Sequence, residues 1–235
     1  MSYVFTPAER PSVEIAGRSE RFPVHRIYCV GRNYEAHARE MGKDPTREAP
    51  FFFTKPPDAI VPNHATIPYP ARTKNLHHEI ELVIAIGAPG RDVPVARALD
   101  HVYGYAVGND LTRRDLQLEA RDKGRPWDTG KAFDRSAAIT AIRPAADGRH
   151  VESGAIWLAV NGEIRQQADV RDLIWGVPEL IAELSTLFEL APGDLIYTGT
   201  PAGVSAVKPG DRMEGAVEGL DTLVTTIQPG TDTGR

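Results

Sequence analysis

The stretch His78-Glu79-Ile80-Glu81-Leu82-Val83-Ile84-Ala85-Ile86 constrains the fold of this chain more than any other. Side chains alternate across a strand, so Ile80, Leu82, Ile84 and Ile86 share one face while Glu79, Glu81, Val83 and Ala85 share the other. Both faces are apolar at the far end, which predicts a strand buried on each side. Two carboxylates opening the inner face of such a strand are costly unless cations or a metal ion compensate them. Asp110, at the end of the strand expected over 102–108, can complete an all-oxygen trio with Glu79 and Glu81. Hard oxygen donors without an accompanying cysteine favour Mg²⁺ or Mn²⁺ over a structural zinc. Spacing alone leaves a second reading open, in which the glutamates are solvated charges on an edge strand.

Other features bound the function class. A chain of 235 residues that is 41% apolar can bury a sizeable core, in one large domain or two small ones. Its net charge of −5, with Lys and Arg scattered, offers no electrostatic footprint for nucleic acid and points to a small-molecule partner. Cys29 stands alone, so it forms no internal disulfide and reads as a small buried hydrophobe. The start, MSYVFTPAERPSVEIAG, lacks the basic and apolar regions of a signal peptide, and no apolar run approaches the ~20 residues that span a bilayer. A cytoplasmic location away from membranes is the expectation.

Along the chain, residues 1–22 read as an arm and 23–230 as one catalytic domain. A strand is expected at 26–30, then a helix capped by Asn33, carrying His37 and Glu40 on one face and ended by Gly42. Residues 43–50 read as a charged, proline-bounded connection suited to a lid. A strand over 51–54 is halted by Lys55-Pro56-Pro57. Thr112 and Asp115 have the spacing of a capping box for a helix over 113–123. Asn161-Gly162 marks a hairpin between strands at 155–160 and 163–167, because both positions accept left-handed backbone angles. Pro178 opens an amphipathic helix with Leu180, Ile181, Leu184, Leu187 and Phe188 on its apolar stripe. His78 alternates away from the two glutamates and is not read as a ligand; His77 is left at most a supporting position.

Six motifs in order change the weight of these readings: Gly31-Arg32-Asn33-Tyr34, His37-x-x-Glu40, His78-Glu79-Ile80-Glu81-Leu82, Gly108-Asn109-Asp110-Leu111-Thr112, Lys131-Ala132-Phe133 and Thr198-Gly199-Thr200-Pro201-x-Gly203-Val204. Together, over residues 25–227, they resemble the fumarylacetoacetate hydrolase family. The stretches Thr112-Arg113-Arg114-Asp115-Leu116-Gln117 and Arg125-Pro126-Trp127-Asp128-Thr129-Gly130-Lys131 look most like its bacterial fumarylpyruvate hydrolases and acylpyruvases. The resemblance implies a mixed, β-rich α/β fold in which a rolled sheet with short helices surrounds a metal site, in a homodimer. It assigns Glu79, Glu81 and Asp110 to Mg²⁺ or Mn²⁺, His37 and Glu40 to water activation, and Lys131 to charge stabilisation. Arg114, Gln117 and Thr200 match substrate-touching positions.

The implied reaction is hydrolysis of a carbon–carbon bond in a 1,3-diketo acid, with fumarylpyruvate giving fumarate and pyruvate. Decarboxylation of oxaloacetate, isomerisation or hydration of a related dicarboxylate, and plain keto-acid binding are the alternatives. Fumarylpyruvate carries a second carboxylate remote from the metal, for which Arg32, Lys55 and Arg125 are the candidate cations.

Overall fold

The computed structural model describes residues 2–41, 48–145 and 148–230. The expected stop at Gly42 and most of the 43–50 connection, with its expected lid, lie outside the described residues. Among those described, two main sheets enclose the core. The larger runs, in spatial order, through Phe51–Lys55, Ile27–Gly31, Leu195–Tyr197, Ile80–Ile86, Val102–Asp110, Ala137–Ile139 and Ile60–Val61, with Arg143–Pro144 also pairing onto Val102–Asp110. The smaller runs through Glu163–Asp169, Ala155–Val160, Arg212–Val217, Leu223–Gln228 and Thr66–Pro68. A short three-stranded sheet, Thr112–Arg113, Leu76–His77 and Ala206–Val207, bridges the loops between them. The architecture is mixed α/β and β-rich, with short helices.

The strand Ile80–Ile86 is buried along its whole length, as its two apolar faces require. Ile80, Leu82, Ile84 and Ile86 join Leu158, Met213 and Ile227 of the smaller sheet in one core. Val83 and Ala85 join Cys29, Ala106 and Tyr197 in a second core on the opposite face. That second core is closed by the hairpin Ser12–Glu14 with Arg21–Pro23, whose Val13, Ile15 and Phe22 are buried in it. Residues of the expected arm thus cover a sheet face, and the boundary after residue 22 runs through a strand.

Four α-helices are described: α1 (Glu35–Glu40), α2 (Arg114–Asp122), α3 (Asp128–Lys131) and α4 (Val177–Leu187). α4 buries Leu180, Ile181 and Leu184 against the main core, while Leu187 and Phe188, expected on the same stripe, stay exposed where the helix ends. Two expected caps do not form. Asn33 instead donates to the carbonyls of Trp175 and Thr198 and accepts from the Trp175 N–H, so it ties three loops rather than capping α1. Thr112 lies in a strand and its hydroxyl donates to the Asp110 carbonyl, while the Asp115 carboxylate accepts from the Thr73 hydroxyl and the Lys74 N–H. Asn33 finds partners distant in sequence and Thr112 turns back to the carbonyl two residues earlier, so neither serves the orphan N–H groups of the following helix. Among the described residues, no helix is long and apolar enough to cross a membrane.

Candidate active site

Cross-strand register brings the acidic trio together. Ile80 pairs with Asn109 and Glu81 with Gly108, so Glu79 lies beside Asp110. The Asn109 side chain accepts from the Glu79 N–H, and the Asp110 N–H donates to the Glu79 carbonyl, at 2.9 and 2.8 Å. One ligand oxygen from each of Glu79, Glu81 and Asp110 lies within 4.8 Å of the others, and all three side chains are buried. The solvated edge-strand reading is therefore excluded.

The protein itself supplies the cations that such burial demands. The Lys131 ammonium sits 2.7 Å from Glu79 Oε2 and 2.6 Å from Asp110 Oδ2. The Arg114 guanidinium pairs with Glu79 Oε1 and also donates to Gln117 Oε1. Lys55 lies 2.7 Å from Asp110 Oδ1 and donates to the Leu111 and Lys131 carbonyls. Burial alone would raise Glu79, but Lys131 and Arg114 outweigh it and hold its carboxyl below the usual carboxylate range. Burial would lower Lys131, and Asp110 and Glu79 instead keep it above the ordinary lysine value. Glu81 is different: burial, with Asp110 and Glu79 close by, pushes it well up, and it accepts from the Gly199 N–H at 2.8 Å. Three converging carboxylates, one of them short of positive charge, fit a hard divalent cation.

Short elements place the surrounding groups. α3 brings Lys131 in by packing Gly130 on α2, where a Cβ would lie 2.8 Å from the Gln117 backbone nitrogen. His37, on α1, is buried, and its Nδ1 lies 3.0 Å from Glu40 Oε2. Glu40 also accepts from the Gly203 N–H. Burial would raise the Glu40 carboxyl, but the bonds from His37 and Gly203 lower it below the usual range. An ionised Glu40 requires the proton on His37 Nδ1, which leaves Nε2 as a lone-pair acceptor.

A cleft is lined by Arg32, His37, Glu79, Glu81, Arg114, Gln117, Lys131 and Thr200, so it gathers these expected site residues. Asp110 and Glu40 stand directly behind the lining. Arg32 has the left-handed backbone angle φ 59° and holds its guanidinium 5.4 Å from the Phe51 ring centre. Phe53 and Trp127 form an aromatic wall with centroids 5.7 Å apart. Of the three cations considered for a remote carboxylate, Arg32 alone lines the cleft. Lys55 is fully buried beneath Asp110 and is unavailable to substrate, and Arg125 lies outside the lining. Arg121 lines the cleft and was missed, because a basic residue in the last turn of a surface helix gives no distinguishing signal. His77 faces Arg114, with Nδ1 3.5 Å from its Nε; burial, then Arg114, lower it to about 4.

A model of the fumarylacetoacetate hydrolase C-terminal domain matches residues 26–228. The chain belongs to the fumarylacetoacetate hydrolase family. It is 53% identical over 191 residues to a fumarylpyruvate hydrolase of a Ralstonia species, covering 80% of this chain and 99% of that protein. It is 41% identical over 202 residues to the mitochondrial oxaloacetate tautomerase of Homo sapiens, covering 86% and 91%. A crystal structure of fumarylpyruvate hydrolase from Pseudomonas aeruginosa with Mn²⁺ and pyruvate superposes with a TM-score of 0.95 at 53% identity, covering 97% of this chain and all of that one.

Proposed function

We propose that this family member is a divalent-metal-dependent hydrolase of 1,3-diketo acids, acting on fumarylpyruvate to release fumarate and pyruvate. The observation that carries the reading is the convergence, on one cleft, of the acidic trio and a histidine whose free ring nitrogen is set up to accept a proton. The likeness to a fumarylpyruvate hydrolase holding Mn²⁺ and pyruvate supports it. Glu79, Glu81 and Asp110 would hold Mg²⁺ or Mn²⁺. The bound ion supplies Lewis acidity to an α-keto carboxylate and to the enolate charge that develops next to it.

The chain's own groups perform the proton chemistry. His37 Nε2 removes a proton from water aimed at the ketone remote from the keto carboxylate, while Glu40 holds the Nδ1 proton and steadies the imidazolium. Hydroxide adds to that carbonyl carbon to give a tetrahedral oxyanion. Its collapse breaks the C–C bond, releasing fumarate and leaving the electron pair on the enolate of pyruvate. The imidazolium proton, returned at carbon, completes pyruvate. Lys131 and Arg114 keep positive charge beside the reacting carboxylate end, and Gln117 fixes the Arg114 fork. Arg32, at the aromatic side of the cleft, pairs with the distal carboxylate, and a homodimer is the working assembly.

The test is product analysis of fumarylpyruvate and acetylpyruvate with added Mg²⁺ or Mn²⁺, using the wild type and Arg32→Met. Cleavage to pyruvate and the matching acid is expected, with KM raised for fumarylpyruvate alone in the variant. Keto–enol interconversion of oxaloacetate without diketo-acid cleavage would replace this reading with a tautomerase, and CO₂ release with a decarboxylase.

A further inference from the structure

Gln166 is a buried polar residue on Glu163–Asp169, an edge strand of the smaller sheet. Pairing with Ala155–Val160 shifts register between Leu158 and Ala159, so Ile164 opposes Ala159 while Gln166 opposes Leu158. The extra residue, Arg165, turns Gln166 inward although Ile164, two positions earlier, is half exposed. The Thr200 loop packs directly on this bulge: a Cβ on Gly203 would lie 2.0 Å from the Arg165 carbonyl oxygen.

Two backbone groups fix which way the Gln166 amide points. Its Oε1 accepts from the Ile80 N–H at 3.1 Å, and its Nε2 donates to the Pro201 carbonyl at 2.8 Å. An N–H can only donate and a carbonyl can only accept, so the reversed amide is excluded. The other Nε2 hydrogen meets Thr200 Oγ1 at 2.7 Å. Thr200 therefore accepts from Gln166, and its own hydroxyl hydrogen is left to point elsewhere. His78 extends the chain, its Nδ1 2.8 Å from Gln166 Oε1 and its Nε2 2.9 Å from Ser205 Oγ. With Oε1 as acceptor, the hydrogen sits on Nδ1 and Ser205 donates to Nε2.

We propose that Gln166 is a positioning residue that sets Thr200 as a one-way hydrogen-bond donor to an anionic oxygen in the cleft. Thr200 is buried and lines the cleft beside Glu81 and Lys131, where a keto-acid carboxylate or the oxyanion would take that hydrogen. This destination rests on the proposed function; the direction of the relay rests on Ile80 and Pro201 alone.

The experiment is a double-mutant cycle on the Mn²⁺-loaded protein, read by calorimetric binding of pyruvate. Thr200→Val is expected to weaken binding ~10-fold through loss of a bond to a charged acceptor. Gln166→Met should weaken it by a similar factor, the double variant by no more than Thr200→Val alone, and Thr200→Ser should stay near the wild type. Multiplying losses in the double variant would overturn the proposal, since a purely structural Gln166 would act independently of the hydroxyl. Side-chain amide resonances supply a readout without ligand: one Gln166 amide proton should shift in Thr200→Val, and unchanged resonances would overturn the relay. Absence of pyruvate binding by the wild type would count against the proposed function instead, with those resonances still deciding the relay.

Discussion

At the scale of residues, the site is a balance of buried charge. Lys55 shows how tightly it is set: its ammonium is spent on Asp110 and two carbonyls, with no part exposed to substrate. Lys55→Met should lower stability by about 3 kcal/mol, because a buried carboxylate loses one of its two cations. Chemical denaturation measures this, and an unchanged midpoint would mean that Lys131 alone suffices for Asp110. His37 acts at a different level. Its removal leaves the carboxylates and their cations in place, so His37→Ala should retain Mn²⁺ affinity while kcat falls by ~10²–10⁴. Equal kcat in wild type and variant would transfer the base role to another group.

At the scale of elements, α2 matters because it carries Arg114 and Gln117. Asp115 anchors its first turn to the preceding loop, accepting from the Thr73 hydroxyl and from the Lys74 and Leu116 N–H groups. Partial burial opposes ionisation, but these donors outweigh it and lower the Asp115 carboxyl below its ordinary value. A lowered carboxyl contributes stability that is complete above the unfolded-state value and lost as pH falls through the folded one. Asp115→Asn should therefore melt roughly 2–4 °C lower at pH 7, for a loss of about 1 kcal/mol, with the gap closing towards pH 2. A gap that persisted in acid would mean that shape, rather than charge, anchors the turn. Elements of this kind also mark the limit of what the chain reveals unaided. The Ile80–Ile86 strand is legible because two apolar faces leave one burial pattern, and Asn161-Gly162 because both residues take φ of 52° and 83°. Asn33 misleads because its side chain finds distant partners, and Thr112 because its hydroxyl turns back to the Asp110 carbonyl. Gln166 and Lys55 were illegible as buried groups, since a polar residue on a strand is ordinarily a solvated one until the opposing loop is known.

At the scale of the whole molecule, the cleft lies where the ends of the larger sheet meet loops anchored on the smaller one: Glu79 and Asp110 come from the first, and Thr200 leans on Gln166 of the second. Three protein cations already face the carboxylates, so removing a divalent ion with EDTA should abolish turnover while circular dichroism stays that of a folded chain. The melting temperature should fall only as far as the lost binding energy of the ion dictates, and Mn²⁺ should restore activity. Collapse of the fold on chelation would make the ion structural and contradict this charge balance. The pairing of Lys55, Lys131 and Arg114 with the acidic residues also bears on how the protein comes into being. A chain that pairs Glu79 and Asp110 with its own cations can fold before any ion is loaded, and the ion would then be a late arrival. Since oxygen donors of this kind accept either magnesium or manganese, the supply at the moment of loading, rather than the order of folding, would decide which one each molecule carries.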